Sequence, residues 1–356
     1  MRRIARAVAA AVLLVPPLMA GGCGGGGGGD KPRARPTPVM PSTTPPQPVP
    51  LTPDVAQKAF QTYITDEDVA RAAADERLAL TWTSDGQSLL TAAEFRKAAF
   101  DGDPVRRFSY GKPKLYVPKL KADAYPQWFV ASVDRSVAGE KKSKESALMG
   151  FILRSPTDDW HLTLATELSP KARLPKIQVD PDGYAEPLSS DDSAVLIRPR
   201  DVGGIQATMA AEGAASVAAK VMETGPLTSG YYQQTKRAKK KAKEQDLTLT
   251  IVYTATPYPY FGLRTKGGGG LILYSLFRNN ALVGPGSPGP KPEIPKEAEH
   301  LLDGTVEGDE IDTTATFQFA AYDPPRAKKG KPQPKAELVA DDGAISKAAT
   351  PTLKKP

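Results

Sequence analysis

The chain is poor in the side chains that do chemistry near neutral pH. In 356 residues it has two histidines, His161 and His300, and one cysteine, Cys23. The histidines fall in different halves, one in a strand-like stretch and one in a helix-like insertion. A zinc site built on them would need carboxylates to complete it. His161 is the better pocket candidate, because alternate residues of a strand can point inward. Asp180-Pro181-Asp182-Gly183 has the acids of a calcium loop, but its glycine comes too early and Tyr184 stands at the fifth position, so it reads as a turn. Gly267–Gly270 follows Lys266 and leads into a strand, which is not the arrangement of a phosphate loop. Gly286-Ser287-Pro288-Gly289 has Pro285 where a nucleophile elbow needs glycine, and Ser109-x-x-Lys112 lies on a strand, not at a helix start. These patterns assign no catalytic residue, no metal and no cofactor.

Cys23 is different, because of what precedes it. Arg2, Arg3 and Arg6 form a basic start, Leu13-Leu14-Val15 opens a short apolar run, and Ala20-Gly21-Gly22 supplies small residues ahead of a cleavage point. The stretch resembles a bacterial lipoprotein signal, in which the thiol takes a diacylglycerol and the chain is cut just before it. An ordinary signal peptidase reading Ala20-x-Gly22 would cut at the same bond. The apolar run is shorter than the ~20 residues of a spanning helix. A single cysteine leaves no intramolecular disulfide framework. Lysine and arginine number 47 against 40 acidic residues, and without Arg2, Arg3 and Arg6 the excess falls from 7 to 4. That is too mild to imply nucleic acid.

The organisation expected is a signal peptide over 1–22, then the anchor cysteine and a Gly/Pro-rich linker over 23–50. A first domain follows over 51–168, a connector over 169–192, a second domain over 193–325, and a disordered basic tail over 326–356. The linker favours extended polyproline II, a spacer between membrane and domains. Thr52-Pro53-Asp54 opens the fold as a helix start, with a hydroxyl cap and proline at the first helical position. Thr65-x-x-Asp68 reads as a capping box opening a second helix through Leu80. Leu89–Phe100 is a third helical piece. The period then becomes alternating, with strands at Phe108–Val117, Gln127–Val133, Ala147–Leu153 and Trp160–Leu168.

The second half repeats this order. Val202–Met222 and Thr228–Glu244 read as helices, and Leu247–Ala255, Tyr258–Arg264, Leu271–Arg278 and Ile311–Tyr322 as strands. The fold class expected is α+β: two repeated domains, each of helices packed on a curved, four-stranded, mostly antiparallel sheet.

Cys23 and its signal, the proline spacer, Thr52-Pro53-Asp54-Val55-Ala56 and Asp75-x-Arg77-Leu78 resemble streptomycete lipoproteins of unknown function. Each half resembles a cystatin-like or nuclear-transport-factor-two-like cone, in which a curved sheet wraps a helix. Such cones host enzymes, carriers and scaffolds, so the resemblance implies no activity. The expectation is a non-enzymatic lipoprotein on the extracytoplasmic face of the cell membrane, with a binding or scaffolding role. A carrier of an apolar or amphipathic ligand, and a cone-type hydrolase or isomerase, are the alternatives. Lys236, Arg237, Lys239, Lys240, Lys241 and Lys243 are the candidates for contact with a polyanion, either anionic lipid or a wall polymer. Tyr253, Tyr258, Tyr260, Phe261 and Tyr274 are the candidates for lining a pocket, with a filled core as the competing reading.

Overall fold

A computed structural model describes residues 49–351, apart from 141–143, 171 and 303–307. Cys23, its signal and nearly all of the linker lie outside the described residues. Helix α1 (Pro53–Ala72) begins as its sequence predicts, with the Val55 amide donating to Thr52 Oγ1 at 3.2 Å. It does not restart at Thr65, whose hydroxyl donates to the Gln61 carbonyl at 2.9 Å. The helix continues because Phe60, Tyr63, Glu67 and Arg71 extend one buried stripe with no breaker between them. Propagation costs far less than a new nucleus. Asp75 caps α2 (Glu76–Thr81), and α3 (Asp85–Asp101) ends at Gly102, whose left-handed φ of 75° suits glycine.

The strands of the first half are β1 (Phe108–Tyr110), β2 (Lys114–Tyr116), β3 (Gln127–Val137), β4 (Glu145–Leu153) and β5 (His161–Leu168). Helices α4 (Val202–Glu212) and α5 (Ser229–Glu244) open the second half. Strands β6 (Thr248–Ala255), β7 (Phe261–Arg264), β8 (Gly270–Val283), β9 (Glu310–Asp323) and β10 (Glu337–Ala349) follow. All ten belong to one antiparallel sheet, ordered β1-β3-β4-β5-β10-β9-β8-β6, with β2 against β3 and β7 against β8.

Two expectations are corrected here. The disordered tail expected from residue 326 onward instead holds a strand, β10, which lies between β5 and β9. It pairs along β9 from Glu337↔Tyr322 to Ala349↔Asp312. Its charges mask a strand made mainly of small residues. At Gly343 a Cβ would come within 2.4 Å of Phe317 Cδ1, so only glycine fits beneath that ring. The chain is also not two repeated domains. Helices precede strands in each half, but β10 joins the halves into one sheet, and residues 46–356 form one compact unit.

On one face of the sheet, α1 packs Phe60 and Tyr63 on Phe129, Met149 and Phe151, and α4 packs Val202 and Met209 on Tyr274, Leu276 and Phe319. The other face carries Val130, Leu148, Leu164, Leu271, Leu273 and Ala320. Ile177 and Ala185 of the connector join that core. The connector is pinned by bridges Pro118↔Ala185, Ile177↔Thr265 and Pro187↔Leu263, so it straps both halves.

The sheet is forked. β5 and β10 pair at Leu168↔Ala340 and Glu167↔Asp341, then separate. Beyond that point the Ala165 amide donates to the Gln318 side chain of β9 at 2.8 Å, and Leu162 exchanges backbone hydrogen bonds with Trp82 and Ser84. Helix α3 follows directly and packs against both β5 and β10, in the fork. The approach is close: a Cβ on Gly86 would lie 3.1 Å from Gln318 Nε2.

Candidate functional site

The fork opens a cleft of about 970 Å³ between the two halves. That is the size of a small-molecule site. α3 supplies Leu90, Ala93 and Glu94, β3 to β5 supply Arg135, Glu145 and Glu167, and β8 to β10 supply Arg278, Phe317 and Asp342. Tyr231 and Gln234 of α5 and His300 of a 3-10 turn (Lys296–Leu301) complete the wall. Smaller depressions of about 250 to 390 Å³ lie elsewhere.

The strand periodicity places the charges. On β3 the row Phe129, Ala131, Val133 ends in Arg135, and on β4 the row Phe151, Met149, Ala147 ends in Glu145, directly opposite Arg135. On β8 the row Ile272, Tyr274, Leu276 turns charged at Arg278, directly opposite Ala315. Each row is apolar where a helix covers it and charged where it reaches the fork.

One wall is a closed ion network. Arg71 Nε donates to Glu67 Oε1 at 3.0 Å, and its NH1 lies 3.0 Å from Glu94 Oε1 and 2.9 Å from the Arg106 carbonyl. Arg106 also pairs with Glu94 at 3.3 Å. Tyr110 OH donates to Glu67 Oε2 at 2.6 Å. Burial alone would raise the Glu94 carboxyl, but Arg71 and Arg106 outweigh it and hold the group below the usual glutamate range. Burial and the neighbouring Glu67 push the Tyr110 hydroxyl up, so it remains a donor. Phe108 carries Arg71 and Arg135, whose guanidinium carbons lie 4.8 and 4.7 Å from its ring centroid.

Beyond Phe108, Arg135 is paired with Glu167. Burial pushes the Asp342 carboxyl up to about 6, against the pull of Arg135 and with the help of Glu167. Burial and Glu167 also raise the Glu145 carboxyl. On the far wall Arg278 stands 5.3 Å from the Phe317 centroid. Its Nε is buried without an acceptor, and so is that of Arg135. Burial and Lys97 lower the affinity of His300 for a proton. His161 does not line the cleft. Its Nδ1 lies 3.9 Å from Asp158, and among the described residues no three His, Cys, Asp or Glu are grouped to hold a metal ion.

None of the five aromatic pocket candidates lines this cleft. Tyr274 is buried under α4 and donates to Gln206 Oε1 at 2.6 Å. Tyr253 stacks on Tyr231 at 5.6 Å, and Tyr260 packs partly buried against the same core. Phe261 fills the opposite face, while Tyr258 meets Phe277 edge to face at 5.5 Å. They are divided between the faces of the sheet because strand neighbours alternate. The six basic candidates, Lys236, Arg237, Lys239, Lys240, Lys241 and Lys243, are all exposed on α5, which packs inward through Tyr231 and Ala242. Glu244 lies 3.8 Å from Lys240.

An uncharacterized lipoprotein of Streptomyces avermitilis is 28% identical over 227 residues, which is 62% of this chain and 63% of that protein. The match therefore spans just under two thirds of that relative. An uncharacterized lipoprotein of Streptomyces coelicolor is 24% identical over 278 residues, 75% of this chain and 77% of that protein. No solved structure matches. The model of a domain of unknown function, DUF8094, matches residues 46–349, and the chain belongs to that family.

Proposed function

We propose that this chain is a lipoprotein, held by a diacylglycerol on Cys23 at the extracytoplasmic face of the cell membrane, and that it binds a small ligand in the cleft without transforming it. The anchor is supported by the Cys23 signal and by the names of the two Streptomyces relatives. The observation that carries the binding role is the fork itself. A volume of ligand size is held open by one sheet, with α3 seated between strands of both halves. Arg71, Arg106 and Arg135 are held by Glu94 and Glu167 of the same lining, an arrangement that presents a ligand with charges fixed in place. An apolar-ligand carrier has less support, because the aromatic run fills cores and the cleft wall is charged.

The test is native mass spectrometry of the lipidated protein released from detergent, beside the same sample denatured. A non-covalent mass that disappears on denaturation supports the binding role, and its composition names the ligand. A bare mass from native and recombinant hosts alike counts against it. Labelling with an alkyne fatty acid tests the anchor, since Cys23→Ala must abolish the label.

A second reading concerns α5, whose outer face exposes six basic residues between Lys236 and Lys243. In it, this face rests on anionic lipid headgroups and holds the body close to the bilayer. Cosedimentation with phosphatidylglycerol vesicles, weakened by salt and by charge reversal at Lys239 and Lys243, tests that contact.

A further inference from the structure

We infer that the ligand of this cleft is an amphipathic oxyanion, a carboxylate or phosphate borne on a short apolar group, and that Arg278 holds its charge. The inference rests on the cleft being a binding site and names what it binds.

The argument is one of unmatched donors. Arg71, Arg106 and Arg135 each have a carboxylate partner. The side chain of Arg278, among the described residues, makes neither an ion pair nor a hydrogen bond, and the residue is half-buried with its Nε wholly enclosed. An enclosed Nε–H without an acceptor is unfavourable, so a fold that keeps one at a cleft wall has room there for an acceptor. The carboxylates Glu145, Glu167 and Asp342 belong to the Arg135 side, where Arg135 acts on the ionisation of Glu145 and Asp342. Arg278 instead acts on Tyr231. The cleft is therefore acidic and self-compensated at one end and carries an uncompensated cation at the other. Lys296 and Glu297, neighbours in the 3-10 turn, add one charge of each sign to the lining, so Arg278 is the cation left over.

The surroundings of Arg278 define the rest of the ligand. Its guanidinium stacks on Phe317, and it stands opposite Ala315, which pairs in turn with Ile345. An anion accepting from the guanidinium edge would bring its neighbouring atoms onto this apolar floor. Arginine's planar fork suits a carboxylate or a phosphate equally.

The test uses full-length lipidated protein in neutral detergent, labelled with ¹⁵N-arginine, at constant ionic strength. The Arg278 Nε–Hε signal is assigned by its loss in Arg278→Gln. Four probes are compared: benzoate with its neutral isostere benzamide, and dihexanoyl phosphatidate with dihexanoyl glycerol. The expected result is a saturating movement of the Arg278 signal by an anion and not by its neutral twin, with at least tenfold weaker binding of that anion in Arg278→Gln. Benzoate alone would point to a free carboxylate, and phosphatidate alone to a phospholipid headgroup. If the neutral probes move cleft signals as far as the anions, the cleft binds but does not read charge, and this inference falls while the binding role stands. If no probe moves any cleft arginine, both fall. Arg278→Gln is expected to fold normally, since no hydrogen bond or ion pair is lost.

Discussion

Replacing Phe261 by alanine should loosen the whole molecule and not its second half alone. Phe261 begins β7 and is 1% exposed. Its ring lies on Gly150 of β4, where a Cβ would come within 2.7 Å of Cε2, and its centroid is 5.3 Å from that of Trp128 on β3. A side chain of the second half is thus packed into the first. Truncating a buried phenylalanine removes its transfer free energy and leaves a cavity, a loss of about 3–5 kcal/mol. Against a total stability of about 5–15 kcal/mol this is a large fraction. The three tryptophans, Trp82, Trp128 and Trp160, all lie in the first half. Fluorescence therefore reads the first half, with Trp128 beside the truncated ring, while far-ultraviolet circular dichroism reads both halves. In urea the two signals should give coincident transitions for wild type and variant, displaced together by the full loss. A fluorescence transition that stays in place while dichroism develops an earlier phase would refute the shared sheet as a cooperative unit.

Three further outcomes are expected. Gly150→Ala should cost about 1–3 kcal/mol by driving a methyl into the Phe261 ring, and much less in a Phe261→Leu background, so a double-mutant cycle in urea should be non-additive. Burial pushes the Asp323 carboxyl up to about 7, although it accepts from the Ile197 amide at 3.0 Å and lies near Arg326. With its folded-state pKa above the unfolded 3.8, its contribution is fully present below about pH 4 and lost as pH rises through about 7. Asp323→Asn should therefore flatten the fall in urea stability between pH 5 and 8, and an unchanged slope would count against that assignment. Truncation after Lys335 removes β10 and bares the edges of β5 and β9, so the product should aggregate on size exclusion. A monodisperse folded product would show β10 to be dispensable.

Local order was legible where side-chain chemistry and period agree. Thr52-Pro53-Asp54 is a helix start by capping alone, and Phe129-Val130-Ala131 is the continuous apolar run of a strand buried on both faces. What failed was long-range. Thr65 reads as a cap, but a side chain does not stop a helix whose buried stripe runs through it. Residues 337–349 read as tail because Glu337, Asp341, Asp342 and Lys347 interrupt their apolar residues and a Lys- and Pro-rich stretch precedes them. Their strand is central because Ala340 and Gly343 are small enough to lie under neighbours, a property that hydrophobicity does not report. The run Tyr258 to Phe261 looks like one cluster in sequence and is divided between two faces and a turn.

The cleft follows from that same missed strand. Arg135, Glu145 and Arg278 each continue an inward apolar row, and in isolation each looks like a charged residue at the frayed end of its strand. They become walls of one site once β10 brings β5 beside β9. Pairing of β5 with β10 at Glu167↔Asp341 sets the depth of the fork, and α3 prevents it from closing. A β5–β10 ladder zipped on past Glu167↔Asp341 would make one continuous sheet face and leave no cavity. The position of the unmatched Arg278 is thus a consequence of register, and a binding site at this place requires the sheet to remain open.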